Sequence, residues 1–547
     1  MNAHRNRRIV CTLGAGIGLA VLGCLAAPAA PPGGVYDVTR YGAVGNGSKV
    51  NTTAIQAAID ECTADGGGVV SIPPGSFLTG TIYLKNHVHI RVEQGATVLG
   101  TTNLADYPVN ICKYGSRSDE YTVRALIWGE GLEDVGITGL GMIDGQGSAF
   151  HGRLGEPEDM VPVTKAFEKQ GRYTPHTRYF ARPYLIRLVS CSDVLVENVT
   201  LRNSAMWMQH YLDCDFLVVR GLNVFNHGCA NNDMIDIDGC RNVTVSDCVG
   251  DSDDDALTLK STGAKATEHV VISNCILRSH CNAIKMGTES AGGFRDIAIS
   301  NCVIQRSAVV SDEHAGRLEG LAGVALEIVD GGTLERVSIS NLVIEGTTAP
   351  LFMRLGNRGK APKPSDPAPP VGSFRDVSIS NIVATGASGT GCVITGIPGH
   401  PIQNVTLSNI RIRFAGGGTA KDAAAEIPEV EDKYPDSTMF GRLPAYGFYL
   451  RHVQGLRAQG LDLGYDTPEQ RPAIVCDDAS KLRLEGLDVQ AEPGAPTQVL
   501  LKDTKDALIT GCSAAAVETF VTEMGNCEDI RLLNNDTGHA KAECAKR

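Results

Sequence analysis

Along the middle of the chain a short phrase of alternating hydrophobic and polar positions keeps returning. Early copies are Val194-Leu195-Val196-Glu197-Asn198, Val243-Thr244-Val245-Ser246-Asp247 and Val271-Ile272-Ser273-Asn274. Later ones are Ile297-Ala298-Ile299-Ser300-Asn301, Val337-Ser338-Ile339-Ser340-Asn341, Val377-Ser378-Ile379-Ser380-Asn381 and Val405-Thr406-Leu407-Ser408-Asn409. Each reads as a β-branched strand of period two, closed by Asn or Asp. From Asp247 the closing residues step by 27, 27, 40, 40 and 28. A coil of three short strands and their turns takes roughly two dozen residues, and stacking sets equivalent strands ~4.8 Å apart. The pattern predicts an all-β solenoid, a parallel β-helix with inward Val and Ile in columns and Asn where the backbone bends. The longer steps place insertions at Gln305 to Glu319 and Met353 to Gly372, the second rich in Pro, Lys and Gly. The spacing leaves the hand of the coil open.

Before the repeats, Thr53-Ala54-Ile55-Gln56 reads as a capping box, and Ile55, Ala58, Ile59 and Cys62 share one helical face. Gly66-Gly67-Gly68 ends this short helix, which would cover the open apolar end of the stack. The first thirty residues have Arg5, Arg7 and Arg8, an apolar run from Ile9 to Leu25 and a small-residue exit at Ala26 to Ala30. That is a secretory signal pattern. It leaves residues 31–547 as one β-helix domain, secreted or periplasmic. Val21-Leu22-Gly23-Cys24 also loosely matches a lipoprotein-processing box, which leaves a lipid on Cys24 open. No later stretch has the ~18 apolar residues of a membrane span.

Composition narrows the function. The net charge of −13 and 43% hydrophobic content exclude a disordered chain and argue against a nucleic-acid partner. Gly is abundant at 62 residues and aromatics supply only 5%, as a repetitive body of turns and aliphatic columns would require. Of 17 cysteines, Cys248, Cys275 and Cys302 recur every 27 residues, which suggests a buried column rather than a disulfide framework. Cys527 and Cys544 are a candidate pair closing a C-terminal loop.

The densest polar constellation comprises Asn231-Asn232-Asp233, Asp251, Asp253-Asp254-Asp255, Lys260, His280, Lys285 and Glu289. Asp233 to Asp254 is 21 residues and Asp254 to His280 is 26, about one coil each. Asp233, the Asp254/Asp255 pair and His280 are therefore expected on three successive coils of one face. Crowded carboxylates push one pKa upward, so one acid keeps its proton while its neighbours ionise. Glycoside hydrolysis needs that division between proton donor and base. A lone Asp such as Asp236 or Asp238 reads as an ordinary strand-end residue. Asp251, Asp253 and Asp255 alternate as in an EF-hand, but Ala256 and Thr262 replace its Gly and Glu.

Arg182-Pro183-Tyr184-Leu185-Ile186, the run Asn203 to His210, Asn231-Asn232-Asp233 and Asp254-Asp255 together resemble glycoside hydrolase family 28. This is the polygalacturonase and rhamnogalacturonan hydrolase family, and the similarity runs from Tyr36 through at least Asn409. The resemblance implies a right-handed parallel β-helix, secretion, no metal or other cofactor, and hydrolysis with inversion. By position Asp254 resembles the general acid, Asp233 and Asp255 the pair that activates water, and His280 the histidine supporting the acid's protonation. Asn231 matches a residue orienting substrate or Asp233. The family's Gly-His-Gly is Ser279-His280-Cys281 here, about one residue out of step, which leaves a structural histidine as the alternative. The cationic Arg-Ile-Lys motif is replaced by Ala325-Leu326-Glu327-Ile328-Val329-Asp330. A uronate would then need Lys285, Arg354 or Arg358 from another coil, or else the bound sugar is not galacturonate. Lys260, Trp207 and His210 complete the candidate substrate contacts. The expectation is a monomeric hydrolase of pectin-type polysaccharide, leaning towards chain ends. The alternatives are a calcium-dependent lyase of the pectate-lyase type and a non-catalytic glycan-binding β-helix.

Overall fold

In the computed structural model, residues 33–547 are described, apart from 153–155, 172–178, 312 and 364. The 1–30 leader and Cys24 lie outside the described residues. Among the described residues thirty-nine strands form one continuous sheet wound on itself, and the coils wind right-handed as a parallel β-helix. The repeated phrases stack in register. One inward column runs Val194, Leu217, Val243, Val270, Ile297, Val337, Val377 and Val405, and a second runs Val196, Val219, Val245, Ile272, Ile299, Ile339, Ile379 and Leu407. All of these are buried, because parallel coils leave the alternate side chains no exit but the shared core.

The closing Asn residues turn the chain. Asn274, Asn301, Asn341, Asn381 and Asn409 have φ between 53° and 57°, a left-handed conformation that Asn tolerates better than other side chains. Their amides also form a ladder: Asn341 donates to Asn301 (3.1 Å), Asn381 to Asn341 (3.0 Å) and Asn409 to Asn381 (2.7 Å). Asn341→Ala loses both features, and a destabilisation of about 1–2 kcal/mol is expected in equilibrium denaturation. Asn341→Gly restores the turn but not the ladder, and should recover about half of it.

The N-terminal helix spans Thr52–Ala64 and buries Ile55, Ala58, Ile59 and Cys62 against the first coil. It starts differently from the capping-box expectation. Asn51 precedes it without a side-chain cap, the Thr52 hydroxyl accepts from Gly80 N (2.7 Å), and Gln56 clasps the Tyr83 backbone through both N–H and C=O (3.0 Å each). The edge of the first coil takes the groups that a capping box would use. The described cysteines are all free thiols. Cys527 and Cys544 stay apart because Cys544 is in register with Val521, while Cys527 follows that strand and faces Met524 O (3.3 Å). Among the described residues no helix is long and apolar enough to cross a membrane.

The insertions interrupt one face. Residues 307–319 separate Phe294–Arg306 from Gly320–Ile328, and 356–372 separate Thr347–Leu355 from Ser373–Ala387. A longer segment, 417–447, follows Ile402–Gly416.

Candidate active site

Strands Gln209–Leu212, Ile235–Asp238, Leu257–Ser261, Asn282–Ser290 and Gly320–Ile328 stack in that order, placing His210, Asp236, Thr258, Lys285 and Ala325 in one row. The turns that enter these strands stack too. Met208 N donates to Asp233 O (2.9 Å), Met234 N to Asp255 O (3.0 Å) and Ala256 N to Asn282 O (2.9 Å). Asp233, Asp255 and Asn282 therefore occupy the same place on successive coils, one strand spacing apart.

The three carboxylates have unequal partners. Asp255 is held by the Lys285 ammonium (2.9 Å) and by the side-chain and backbone N–H of Asn282 (2.7 and 2.9 Å). Burial alone would raise its pKa, but the Lys285 and Lys260 charges outweigh it and keep Asp255 below the ordinary range. Asp254 is partly exposed, and its Oδ2 has only the Asn231 amide at 3.5 Å, with Asp255 N on Oδ1 at 2.8 Å. Burial and the neighbouring Asp255 charge push Asp254 upward. Asp233 is buried, and it is raised by desolvation and by Asp236 and Asp254.

Lys260 is the hub of a second cluster. Its ammonium lies 3.6 Å from Asp233, 3.5 Å from Asp236 and 3.8 Å from Glu289, with all four side chains buried. Glu289 is kept ionised: burial opposes this, but Lys260 and Arg358 prevail, and Tyr121 Oη donates to it (3.0 Å). Burial lifts Asp236 to about 8 despite Lys260. One ammonium between two further carboxylates leaves Asp233 and Asp236 holding a proton between them.

Other sequence candidates lie elsewhere. Trp207 is 3% exposed, packed on Tyr121 and Tyr184 beneath the Lys260 ammonium, which lies 4.4 Å from its ring centre. It supports Lys260 rather than offering a face to sugar. His210 is fully buried and bound to Asp238 (3.0 Å), and burial lowers its pKa to about 4. Arg354 is likewise buried, holding Gly396 O (3.0 Å) and Glu429 O (2.7 Å), which ties down the 417–447 segment. Arg358 is paired with Asp330. His280 faces Val309 O (2.7 Å) and Asp253 (3.3 Å), so it meets the acid only through Asp253, the residue before it.

Over residues 62–433 the chain matches the model of glycosyl hydrolases family 28. The chain belongs to that family. It is 31% identical over 234 residues to a probable polygalacturonase of Vitis vinifera, covering 41% of this chain and 44% of that protein. It is 29% identical over 252 residues to the exo-poly-alpha-D-galacturonosidase of Dickeya chrysanthemi, covering 41% and 42%. The chain thus spans less than half the length of these relatives. In fold it is similar to an exopolygalacturonase from Thermotoga maritima, with TM-score 0.60 and 20% identity over 79% of this chain and 92% of that one.

Family 28 membership sets off what is particular here. Glu327, where the Arg-Ile-Lys cations would fall, is buried beside Lys285; burial raises it to about 7 and Thr288 donates to it (3.0 Å). Tyr434, from the 417–447 segment, accepts from Lys285 (3.2 Å). Arg317, from the 307–319 insertion, donates to His280 O (2.8 Å), and its buried Nε has no partner. Local sequence carries no signal for Tyr434, Arg317 or Tyr121. Their placement comes from loops distant in the chain.

Proposed function

We propose that the protein hydrolyses glycosidic bonds of a pectin-type polysaccharide, polygalacturonan or rhamnogalacturonan, from chain ends with inversion. The unequal partnering of adjacent carboxylates carries this reading. Asp255, fixed by Lys285 and Asn282, is the base that draws a proton from water, and Asp233 one coil away helps to activate that water while the proton it shares with Asp236 sits on Asp236. Asp254, whose Oδ2 meets only the Asn231 amide, delivers its proton to the glycosidic oxygen. Water oxygen bonds to the anomeric carbon as the bond to the leaving oxygen breaks; one proton leaves water for the base and one leaves Asp254 for the leaving group. Family membership favours hydrolysis over calcium-dependent elimination.

Chain-end attack is supported by the walls. Arg117 donates to Ala361 O (3.3 Å), Asn357 N to Glu431 O (2.7 Å) and Ser437 to Leu321 O (2.7 Å), so three separate segments join over the coils beyond Lys285. Lys260, Lys285 and Arg358 are each matched to carboxylates, whereas Arg317 is not, and it is the guanidinium that would read a uronate carboxylate. The leader pattern supports a secreted or periplasmic enzyme, and it would act as a monomer.

The test is product analysis on polygalacturonate and rhamnogalacturonan, with anomeric NMR and viscometry. Early release of short products of inverted configuration, without a fast viscosity drop, is expected, and Arg317→Gln should raise KM tenfold or so with kcat little changed. A fast viscosity drop would exclude chain-end action. Failure to release sugar from either polymer would overturn the reading.

A further inference from the structure

Behind the carboxylate stack, outside the proposed reaction, three imidazoles converge on Asp253. His280 Nδ1 is 3.3 Å and His227 Nδ1 is 3.7 Å from Asp253 Oδ1, and His314 Nε2 is 3.5 Å from Oδ2. His280 is completely buried, and neither its Nδ1 nor that of His227 has a hydrogen-bond partner. The opposite ring nitrogens explain which atoms these are. His280 Nε2 faces Val309 O at 2.7 Å, and a carbonyl only accepts, so Nε2 carries the proton. His227 Nε2 faces Asp251 Oδ1 at 2.9 Å, and that carboxylate is itself held by Ser307 (2.8 Å) and Ala308 N (3.0 Å). In the neutral rings both Nδ1 atoms are lone pairs, turned towards a carboxylate oxygen.

Three electron-rich atoms facing one point in a dry interior repel unless positive charge lies between them. The spacing indicates which charge. Neither Nδ1 contact has the geometry of a hydrogen bond. The His280 Nδ1–Asp253 Oδ1 separation matches the ~3.3 Å edge of a tetrahedron whose corners lie ~2.0–2.1 Å from a central metal, and the 3.7 Å His227 separation exceeds that edge by ~0.4 Å. The donors of His227, Asp253 and His280 also all lie within 4.8 Å of one another. Each imidazole has its far N–H fixed by an acceptor, as metal-binding histidines characteristically do.

We propose that His227 Nδ1, His280 Nδ1 and Asp253 Oδ1 form a binding site for one borderline divalent transition-metal ion such as Zn²⁺. Two imidazoles and one carboxylate suit Zn²⁺, Co²⁺ or Ni²⁺ and disfavour Ca²⁺ and Mg²⁺, which take oxygen ligands. His314, the most exposed of the three rings and carried by the 307–319 insertion, faces the second Asp253 oxygen. The ion would fix the turn that presents Asp254. The metal-free expectation attached to the family resemblance does not extend to this cluster, which is built partly by an insertion.

The full chain without an affinity tag, stripped with chelator and dialysed, is titrated with Zn²⁺ and separately with Co²⁺. One equivalent of each should bind. The cobalt form should show the intense visible bands of a low-symmetry four-coordinate site, and Zn²⁺ but not Ca²⁺ should raise Tm by several degrees. His227→Ala and His280→Ala should each weaken uptake at least a hundredfold, and His314→Ala far less. Circular dichroism of the stripped variants establishes that they are folded; should His280→Ala not fold, His227→Gln serves in its place. Absence of stoichiometric uptake, of the cobalt bands and of the Tm shift would overturn the site and assign its positive charge to imidazolium protons. Uptake undiminished in the folded variants would overturn its location.

Discussion

Asp254→Asn is expected to leave the coil stack folded and to lower kcat by about 10²–10⁴-fold on a natural pectic substrate. Asparagine has the same shape; its Oδ1 can still accept from the backbone N–H of Asp255, and a flip of the Asn231 amide lets the new Nδ2 donate to Asn231 Oδ1, so little structural is lost. What disappears is the proton for the leaving oxygen. A substrate whose leaving group is already a weak base does not need that proton, so the loss on an aryl glycoside should be far smaller. Retention of more than a tenth of wild-type turnover on the polysaccharide, by reducing-end assay of a protein with unchanged circular dichroism, would remove Asp254 from the role of acid.

Lys260→Met is expected to be the most destabilising single change at the site, by about 3–5 kcal/mol near pH 8, because it leaves buried carboxylates without their cation. The hub serves Asp233, Asp236 and Glu289 at 3.5–3.8 Å, with no solvent to replace it. The pH dependence has a definite sign. Asp233 and Asp236 have raised pKa values in the folded protein, Asp236 about 8, so the native state binds more protons than the unfolded chain above the ordinary carboxyl range. Their contribution favours folding at low pH and weakens as pH rises towards 8. Without Lys260 both acids hold protons more tightly, so the variant's deficit should shrink steadily from pH 8 to pH 5 in chemical denaturation. A deficit independent of pH would mean that Lys260 acts through packing on Trp207 instead of charge.

Much of this was legible in the chain. Two-residue alternation, a closing Asn and steps near 27 leave parallel coils as the arrangement that buries every inward Val and Ile, and the columns from Val194 to Val405 and Val196 to Leu407 run as the repeat requires. The insertions were also legible, as interruptions of a period. So was the stacking of Asp233 with Asp255, because a residue one coil away in sequence is a neighbour in space. Other positions were not. Asp236 has the same local pattern as any strand-end aspartate. It differs only because Lys260, one coil on, reaches back to it. Trp207, His210 and Arg354 suggest sugar contacts by residue type, yet each is covered by other segments: Tyr121 and Tyr184 pack on Trp207, Tyr184 and Asp238 enclose His210, and the 417–447 segment closes over Arg354.

The sequence by itself determined the repeat, the parallel stack and the coils that carry the carboxylates, since periodic burial of apolar side chains has few solutions. Tertiary structure decided which acid is paired, which cation is committed and which histidines meet at Asp253. Those outcomes depend on contacts between coils and on loops hundreds of residues apart, where a change of one ångström decides between a hydrogen bond, an ion pair and an empty lone pair.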